Sequence, residues 1–216
     1  MKIEYFGHSC FRLTGDNGTS VLTDPYTKVG YELPRGLTAD IVTVSHGHFD
    51  HNYTNGVECT HIVRDIAQRD IDGVEIRGEH SYHDTKQGSL RGENIIFKIK
   101  MDGITVCHFG DLGEGYNEAL AQKLSGADIW LIPIGGTYTI DSAQAIEYLK
   151  KMKPKAVIPM HYLPKDGALD IATPNFFLGN IGEEVKGPFT SLNVTKEDLA
   201  DGCTKVYYME RQKDER

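Results

Sequence analysis

With 216 residues and a formal net charge of −8, the chain is long enough for one hydrophobic core and reads as a single domain over residues 1–216. The acidic balance leaves no broad basic surface for nucleic acid, and no apolar run approaches the roughly twenty residues of a membrane span. Met1–Phe6 reads as a strand rather than a secretion leader. Cys10, Cys59, Cys107 and Cys203 have neither disulfide-framework nor zinc-knuckle spacing, so free thiols and a cytoplasmic location are expected.

Along the chain, Ile3–Phe6, Cys10–Leu13 and Ser20–Thr23 read as an antiparallel meander, its second turn at Gly15-Asp16-Asn17-Gly18. Asp24-Pro25 ends the third strand, because proline restricts the residue before it and has no N–H to donate. Residues 29–39 form an irregular connection, and Ile41–Val44 is a buried strand. Asn52–Gly56 suggests a helical turn or loop, Thr60–Val63 a strand, Arg64–Arg69 a short helix and Val74–Ile76 another strand. Asn94–Lys100 and Ile104–Phe109 pair as a hairpin through Asp102-Gly103. Helical spacing follows over Tyr116–Leu124, then a short apolar strand over Ile129–Ile132.

The clearest helix runs over Ser142–Lys151, with Asp141 as N-cap, Gln144 completing a capping box and Pro154 as the stop. Ile146, Leu149 and Met152 form its apolar stripe, while Lys150, Lys151 and Lys153 suit the negative end of the helix dipole. Ala156–Pro159 is a buried strand leading into Met160-His161. Lys165–Phe189, rich in Gly, Pro and polar residues, is expected to be a long ordered loop, and Lys205–Met209 a last strand before a charged tail. The pattern is that of an α/β layered domain.

The chemistry concentrates in His46-Gly47-His48-Phe49-Asp50-His51, directly after a buried strand. If the strand continues through them, His46 and His48 leave one face and can grip one ion; Asp50 and His51, beyond the turn, suit a second. His83, Asp111 and His161 also follow apolar strands, and ligands on rigid strand ends converge on one pocket.

The order His-x-His-x-Asp-His, a later His, a Gly-Asp and a final His after a strand resembles the metallo-β-lactamase superfamily. Gly7-His8-Ser9-Cys10-Phe11, Asp24-Pro25, Pro133–Thr137 and Ile158–Tyr162 resemble its branch containing ascorbate-6-phosphate lactonase. The resemblance implies an αββα sandwich of two mixed sheets flanked by helices, with metals between the sheet edges. It implies that His46, His48 and His83 hold one ion, that Asp50, His51 and His161 hold another, and that Asp111 bridges both. The third motif favours His83 over His80, because His83-Asp84 is followed by Gly88. Zinc suits this nitrogen-rich set best, and manganese or iron also suits it.

Other residues keep two readings each. Asp24 either orients a ligating imidazole or caps the Pro25 turn, and His8 either lines the pocket mouth or bonds nearby backbone. His108 reads as structural or as a support behind the ligands, and His61 as structural or exposed. Gly135-Gly136 either admits an anion or makes a tight turn; Lys86 and Arg91 either recognise an anion or are solvated. Phe176 and Phe177 are expected to pin the late loop to the core.

Formally, two divalent ions less Asp50, Asp111 and one hydroxide leave about one positive charge, which draws anions despite the acidic chain. The implied activity is a metal-dependent hydrolase acting with metal-supplied hydroxide on a small anionic lactone or ester, with Asp50 and Asp111 catalytic. A phosphodiesterase or nuclease on the same fold, or a non-catalytic metal sensor, are the alternatives.

Overall fold

The computed structural model describes residues 1–213; the end of the charged tail, 214–216, lies outside the described residues. The first half of the chain lays down strands β1 (Lys2–Gly7), β2 (Cys10–Thr14), β3 (Ser20–Thr23), β4 (Thr38–Thr43), β5 (Glu58–Val63), β6 (Arg69–Ile71), β7 (Val74–Tyr82), β8 (Glu93–Met101) and β9 (Ile104–His108). Helix α1 (Glu118–Leu124), β10 (Ile129–Pro133), α2 (Ser142–Met152) and β11 (Ala156–Met160) alternate after them. The chain closes with α3 (Asn175–Asn180), β12 (Val185–Phe189), β13 (Ser191–Asn193) and β14 (Lys205–Met209).

These strands form two mixed sheets, a six-stranded one in the order β13-β1-β2-β3-β4-β5 and an eight-stranded one in the order β12-β14-β11-β10-β9-β8-β7-β6. The pleat of the first sheet explains how it buries both faces. Ile3, Phe11, Val21 and Ile41 point into the main core beside Ile76, Phe97 and Ile99 of the second sheet. Their neighbours Cys10, Leu22 and Val42 point the other way, into a smaller core with Tyr26, Val29, Leu33 and Leu37. That outer face is therefore covered by the coil after β3, and α2 packs against β10 of the second sheet.

The hairpin at Asp102-Gly103 forms with both residues at positive φ, as a two-residue turn of this kind requires. The capping box forms as well, with Gln144 N–H donating to Asp141 and Asp141 N–H to the Gln144 side chain. Lys153 then turns left-handed ahead of Pro154 and ends the helix.

Three segments differ from their sequence reading. Residues 64–68 form no helix: Asp65 instead accepts the Ala67 N–H at 2.9 Å and pairs with the Arg69 guanidinium, which bends the chain into β6. β7 runs on to Tyr82, past Gly78, whose missing side chain leaves room for the backbone of Ile66. Within 165–189, α3 starts after Pro174 and buries Phe177, and β12 pairs with β14, so Gly and Pro there mark element boundaries rather than one loop.

Candidate metal centre

Strand direction assembles the site. β9, β10 and β11 run parallel, and β7 runs the same way because it is antiparallel to β8, which is antiparallel to β9. In the first sheet β3 and β4 are parallel, and β1 shares their direction through β2. The carboxyl ends of six strands thus reach one rim, delivering His8, Asp24, His46, His83, Asp111 and His161. β4 stops at Thr43, so His46 and His48 lie in the loop beyond it and not on a continued strand. Their rings nevertheless meet, with centroids 4.6 Å apart.

Two donor groups result. The His46, His48 and His83 rings lie within 5.0 Å of one another by centroid, and each offers a nitrogen within 4.8 Å of the others. His8, Asp50, His51 and His161 form the second group on the same measure. Asp111 stands between them, 3.3 Å from His83 Nε2 and 3.3 Å from His161 Nε2 through Oδ2, and 3.1 Å from His51 Nε2 through Oδ1. All seven residues singled out by motif, His46, His48, Asp50, His51, His83, Asp111 and His161, come together, and His8 joins them. Most are buried; His48 is exposed, and His46 and Asp50 are half-buried.

A shell of hydrogen bonds holds the donors. Asp24, fully buried, accepts from His51 Nδ1 at 2.8 Å, from Ser45 N–H at 2.8 Å and from Ser45 Oγ at 2.5 Å. It therefore fixes the His51 tautomer, leaving Nε2 directed at Asp111. His8 Nε2 donates to Asp50 Oδ2 at 3.2 Å, and the His8 carbonyl accepts the His161 N–H at 2.8 Å. His8, Asp24 and His161 all have positive φ, so the backbone is strained where the donors attach. Asn94 accepts the Asp111 N–H at 2.9 Å while donating to Ser81 and the Phe109 carbonyl. Gly110 makes this possible, because an added Cβ would lie 2.3 Å from Asn94 Oδ1 and 2.6 Å from Ser45 Cβ. Neither Asn94 nor Ser45 carries a sequence signal; each is recognisable only once the strands pair.

Asp84, next to His83, accepts four backbone N–H groups, from Lys86, Gly88, Leu90 and Arg91, at 2.6–3.1 Å. It shapes the loop that carries Lys86 and Arg91, both exposed, with Arg91 over the Tyr138 ring. The remaining candidates stay outside the cluster. His80 pairs with Glu93 at 3.3 Å, and His61 is exposed on β5. His108 donates from Nε2 to the Ser9 carbonyl at 2.8 Å and accepts the Gly110 N–H at Nδ1, a structural role. Gly135-Gly136 opens a tight turn, in which Gly136 O accepts the Tyr138 and Thr139 N–H groups, and Gly135 O accepts the N–H of the distant Ala172. Phe177 is buried, and Phe176 is exposed.

The electrostatics suit cations. Burial holds His46 down to about 3 and His8 down to about 4, so both present neutral lone pairs at pH 7. Burial pulls His51 the same way, but Asp111 and Asp24 outweigh it and raise its pKa. Burial pushes Asp111, Asp24 and Asp50 up, and the surrounding imidazoles overcome that and hold all three below the usual carboxylate range. Among the described residues His46 Nε2, His51 Nε2, His83 Nδ1, Asp111 Oδ1 and both His161 nitrogens are buried without a hydrogen-bond partner. A cluster of unpaired imidazole nitrogens and a carboxylate oxygen would cost about 1–3 kcal/mol per group if left so. Divalent cations would satisfy them together, so the donor set fits metal ions.

Comparison with known proteins places this arrangement. The sequence profile of the beta-lactamase superfamily domain matches residues 2–161. A UPF0173 metal-dependent hydrolase of Pelotomaculum thermopropionicum is 32% identical over 195 residues, 75% of this chain and 84% of that protein. One of Methanosphaerula palustris is 32% identical over 187 residues, 75% of this chain and 84% of that protein. Among solved structures, a Thermotoga maritima protein described as a candidate Zn-dependent hydrolase of the metallo-beta-lactamase superfamily has 32% identity and a TM-score of 0.77, over 97% of this chain and 99% of that one. A metallo hydrolase of Ignicoccus hospitalis, 24% identical with a TM-score of 0.67 over 98% and 96% of the two chains, shares the fold.

Proposed function

Because the chain belongs to the metallo-β-lactamase superfamily, we propose that it is a metal-dependent hydrolase holding two divalent ions, zinc in the first instance, with manganese or iron as substitutes. His46, His48 and His83 would hold one ion, Asp50, His51 and His161 the other, and Asp111 both. The observation that carries this reading is the position of Asp111 within 3.3 Å of His51, His83 and His161 at once, with unpaired buried donors on both sides of it. When bound, such ions polarise a carbonyl or phosphoryl oxygen and make water nucleophilic near neutral pH.

The chain's own residues do the rest. Asp50, ionised at neutral pH and partly open to solvent, is placed to take a proton from the attacking water and to pass it to the leaving group. His8 steadies that carboxylate through its Nε2–H. Asp24 keeps His51 in the tautomer that faces Asp111. The substrate we favour is a small anionic lactone or ester, drawn by the positive charge that two ions leave over Asp50 and Asp111.

Metal analysis of the purified chain with a panel of lactones, carboxyl esters, thioesters and phosphodiesters tests the reading. About two equivalents of metal and turnover of a lactone or ester, both removed by chelation, are expected. Turnover confined to phosphodiesters would replace the substrate class, and metal binding with no turnover would replace the hydrolase with a sensor.

A further inference from the structure

The loop joining β7 to β8, residues 84–92, carries positive charge that no described residue neutralises. Its carboxylate, Asp84, is buried and committed to four backbone N–H groups. Lys86 and Arg91 are exposed, and among the described residues neither side chain meets a carboxylate, whereas Arg12, Arg69, Arg77 and Arg211 each do. Arg91 is nonetheless held in place. Its N–H donates to Asp84 at 2.8 Å, and its guanidinium lies over the Tyr138 ring, 5.6 Å from the centroid.

That contact joins loops packed on three donors of the metal centre. The Arg91 loop closes on His83, whose N–H donates to the Gly92 carbonyl at 3.1 Å. The Tyr138 turn is tied to the residue after Asp111, because the Ile140 N–H donates to the Leu112 carbonyl at 2.7 Å. Its other end abuts His161, since a Cβ on Gly135 would run into the His161 carbonyl. Gly113 lies so close to the His83 backbone that a Cβ would not fit, and its N–H donates to the Tyr82 carbonyl at 2.9 Å. His83 and His161 are the two imidazoles that meet Asp111 Oδ2 at 3.3 Å. The guanidinium therefore stands at the edge of the centre, on the side where these donors converge, with its N–H groups free of acceptors among the described residues.

We propose that Arg91 binds a carboxylate at the far end of the molecule whose reacting group sits at the metal centre. The proposal rests on the hydrolase reading only for what happens at the near end. A guanidinium offers parallel N–H donors to the two oxygens of a carboxylate, a match in shape as well as charge. The Tyr138 face limits the freedom of that fork, so less ordering is left for the ligand to impose. One guanidinium balances one carboxylate, and the positive charge of the metal centre is left for the reacting end. The substrate class narrows accordingly, from any small anionic lactone or ester to one whose carboxylate lies apart from the scissile bond.

Calorimetry on the zinc-loaded full chain tests this, with succinate, glutarate and adipate as two-ended probes and butyrate as a one-ended probe. At least one dicarboxylate is expected to bind more tightly than butyrate, and Arg91→Gln to weaken it by at least about tenfold while leaving butyrate within about twofold. Arg91→Lys should recover part of the loss. The bond to Asp84 survives both changes, because it uses the backbone of residue 91. Arg35→Gln, the same charge change ahead of the amino end of β4 and so at the opposite rim, should leave every affinity unchanged. No preference for a dicarboxylate overturns the proposal. So does an equal loss for butyrate in Arg91→Gln, which would mean a disturbed metal centre, or an equal loss in Arg35→Gln, which would mean long-range attraction. Turnover adds a separate readout. For the p-nitrophenyl monoester of the tightest dicarboxylate, Arg91→Gln should raise KM at least about tenfold with kcat within about twofold, and p-nitrophenyl butyrate should be unaffected. If neither ester is hydrolysed while the binding pattern holds, the hydrolase reading fails and the Arg91 site stands.

Discussion

The two donor groups on either side of Asp111 are built differently. In the group of His8, Asp50, His51 and His161, protein hydrogen bonds fix two of the donors in advance, Asp24 holding His51 and His8 holding Asp50, and the His8 carbonyl holds the His161 backbone while the His161 ring nitrogens have no partner among the described residues. In the group of His46, His48 and His83, His46 has Ser45 Oγ at 3.0 Å, His83 Nδ1 has no partner among the described residues, and His48 is exposed. One half is preorganised by the chain and the other takes its order from whatever it binds. Preorganisation removes the ordering penalty from binding, so the first equivalent of metal should enter beside His51.

Removing the shared member should break both halves. Asp111→Ala is expected to lower turnover by about a thousandfold or more and to release both ions, read by metal analysis and initial rates; retention of one tight ion would show that Asp111 serves only one half. Asp24→Asn attacks the preorganised half first, because Asp24 holds His51 directly and reaches His46 only through Ser45. About a 10–100-fold loss of affinity for one ion is expected, with a smaller loss for the other, in a competition titration with a chromogenic chelator. His48→Ala attacks the adaptable half: one equivalent of metal is lost, while the metal-free unfolding free energy stays within about 0.5 kcal/mol of the parent, as for other exposed positions.

Acidification should produce the smallest effect, and its sign follows from burial. The ordinary histidine pKa of about 6.5 falls to about 4 for His8 and about 3 for His46 in the folded chain. Protonation therefore favours unfolding. Their contribution to stability is complete above about 6.5 and is lost as pH falls towards 4 and then 3. The metal-free melting temperature should drop by a few degrees between pH 6.5 and 4.5, and His8→Gln should flatten that drop; an unchanged slope would remove His8 from the account. His51, with a raised pKa, opposes the trend, its contribution being lost only as pH rises.

Much of this architecture was legible in local chemistry. The Asp102-Gly103 turn, the Asp141–Gln144 capping box and the apolar strands before each donor are short-range signals, and each corresponds to an observed element. The motif around His46–His51 located the donors, and resemblance supplied their distant partners. What escaped depends on pairings between remote segments. The role of His8 rests on Tyr5, Tyr31 and His161, and that of Asn94 on Ser81, Phe109 and Asp111. The irregular connection before β4 was legible as such, but its packing over the first sheet escaped, because its apolar residues follow neither a strand nor a helix period. The turn after β5 escaped because a single Asp65 side chain outcompetes helical hydrogen bonding in a segment too short to nucleate.

The bond from His161 N–H to the His8 carbonyl has a consequence for the order of synthesis. It joins residues 153 positions apart, and the later one lies about three-quarters of the way along the 216-residue chain. A ribosome that has completed every earlier donor has still made no finished centre, because His8 lacks one of the bonds that orient it. Completion of the site is therefore a late event that follows β11, and a chain cut before that strand would keep the His46–His51 motif intact yet lack His161 and the bond it makes to His8.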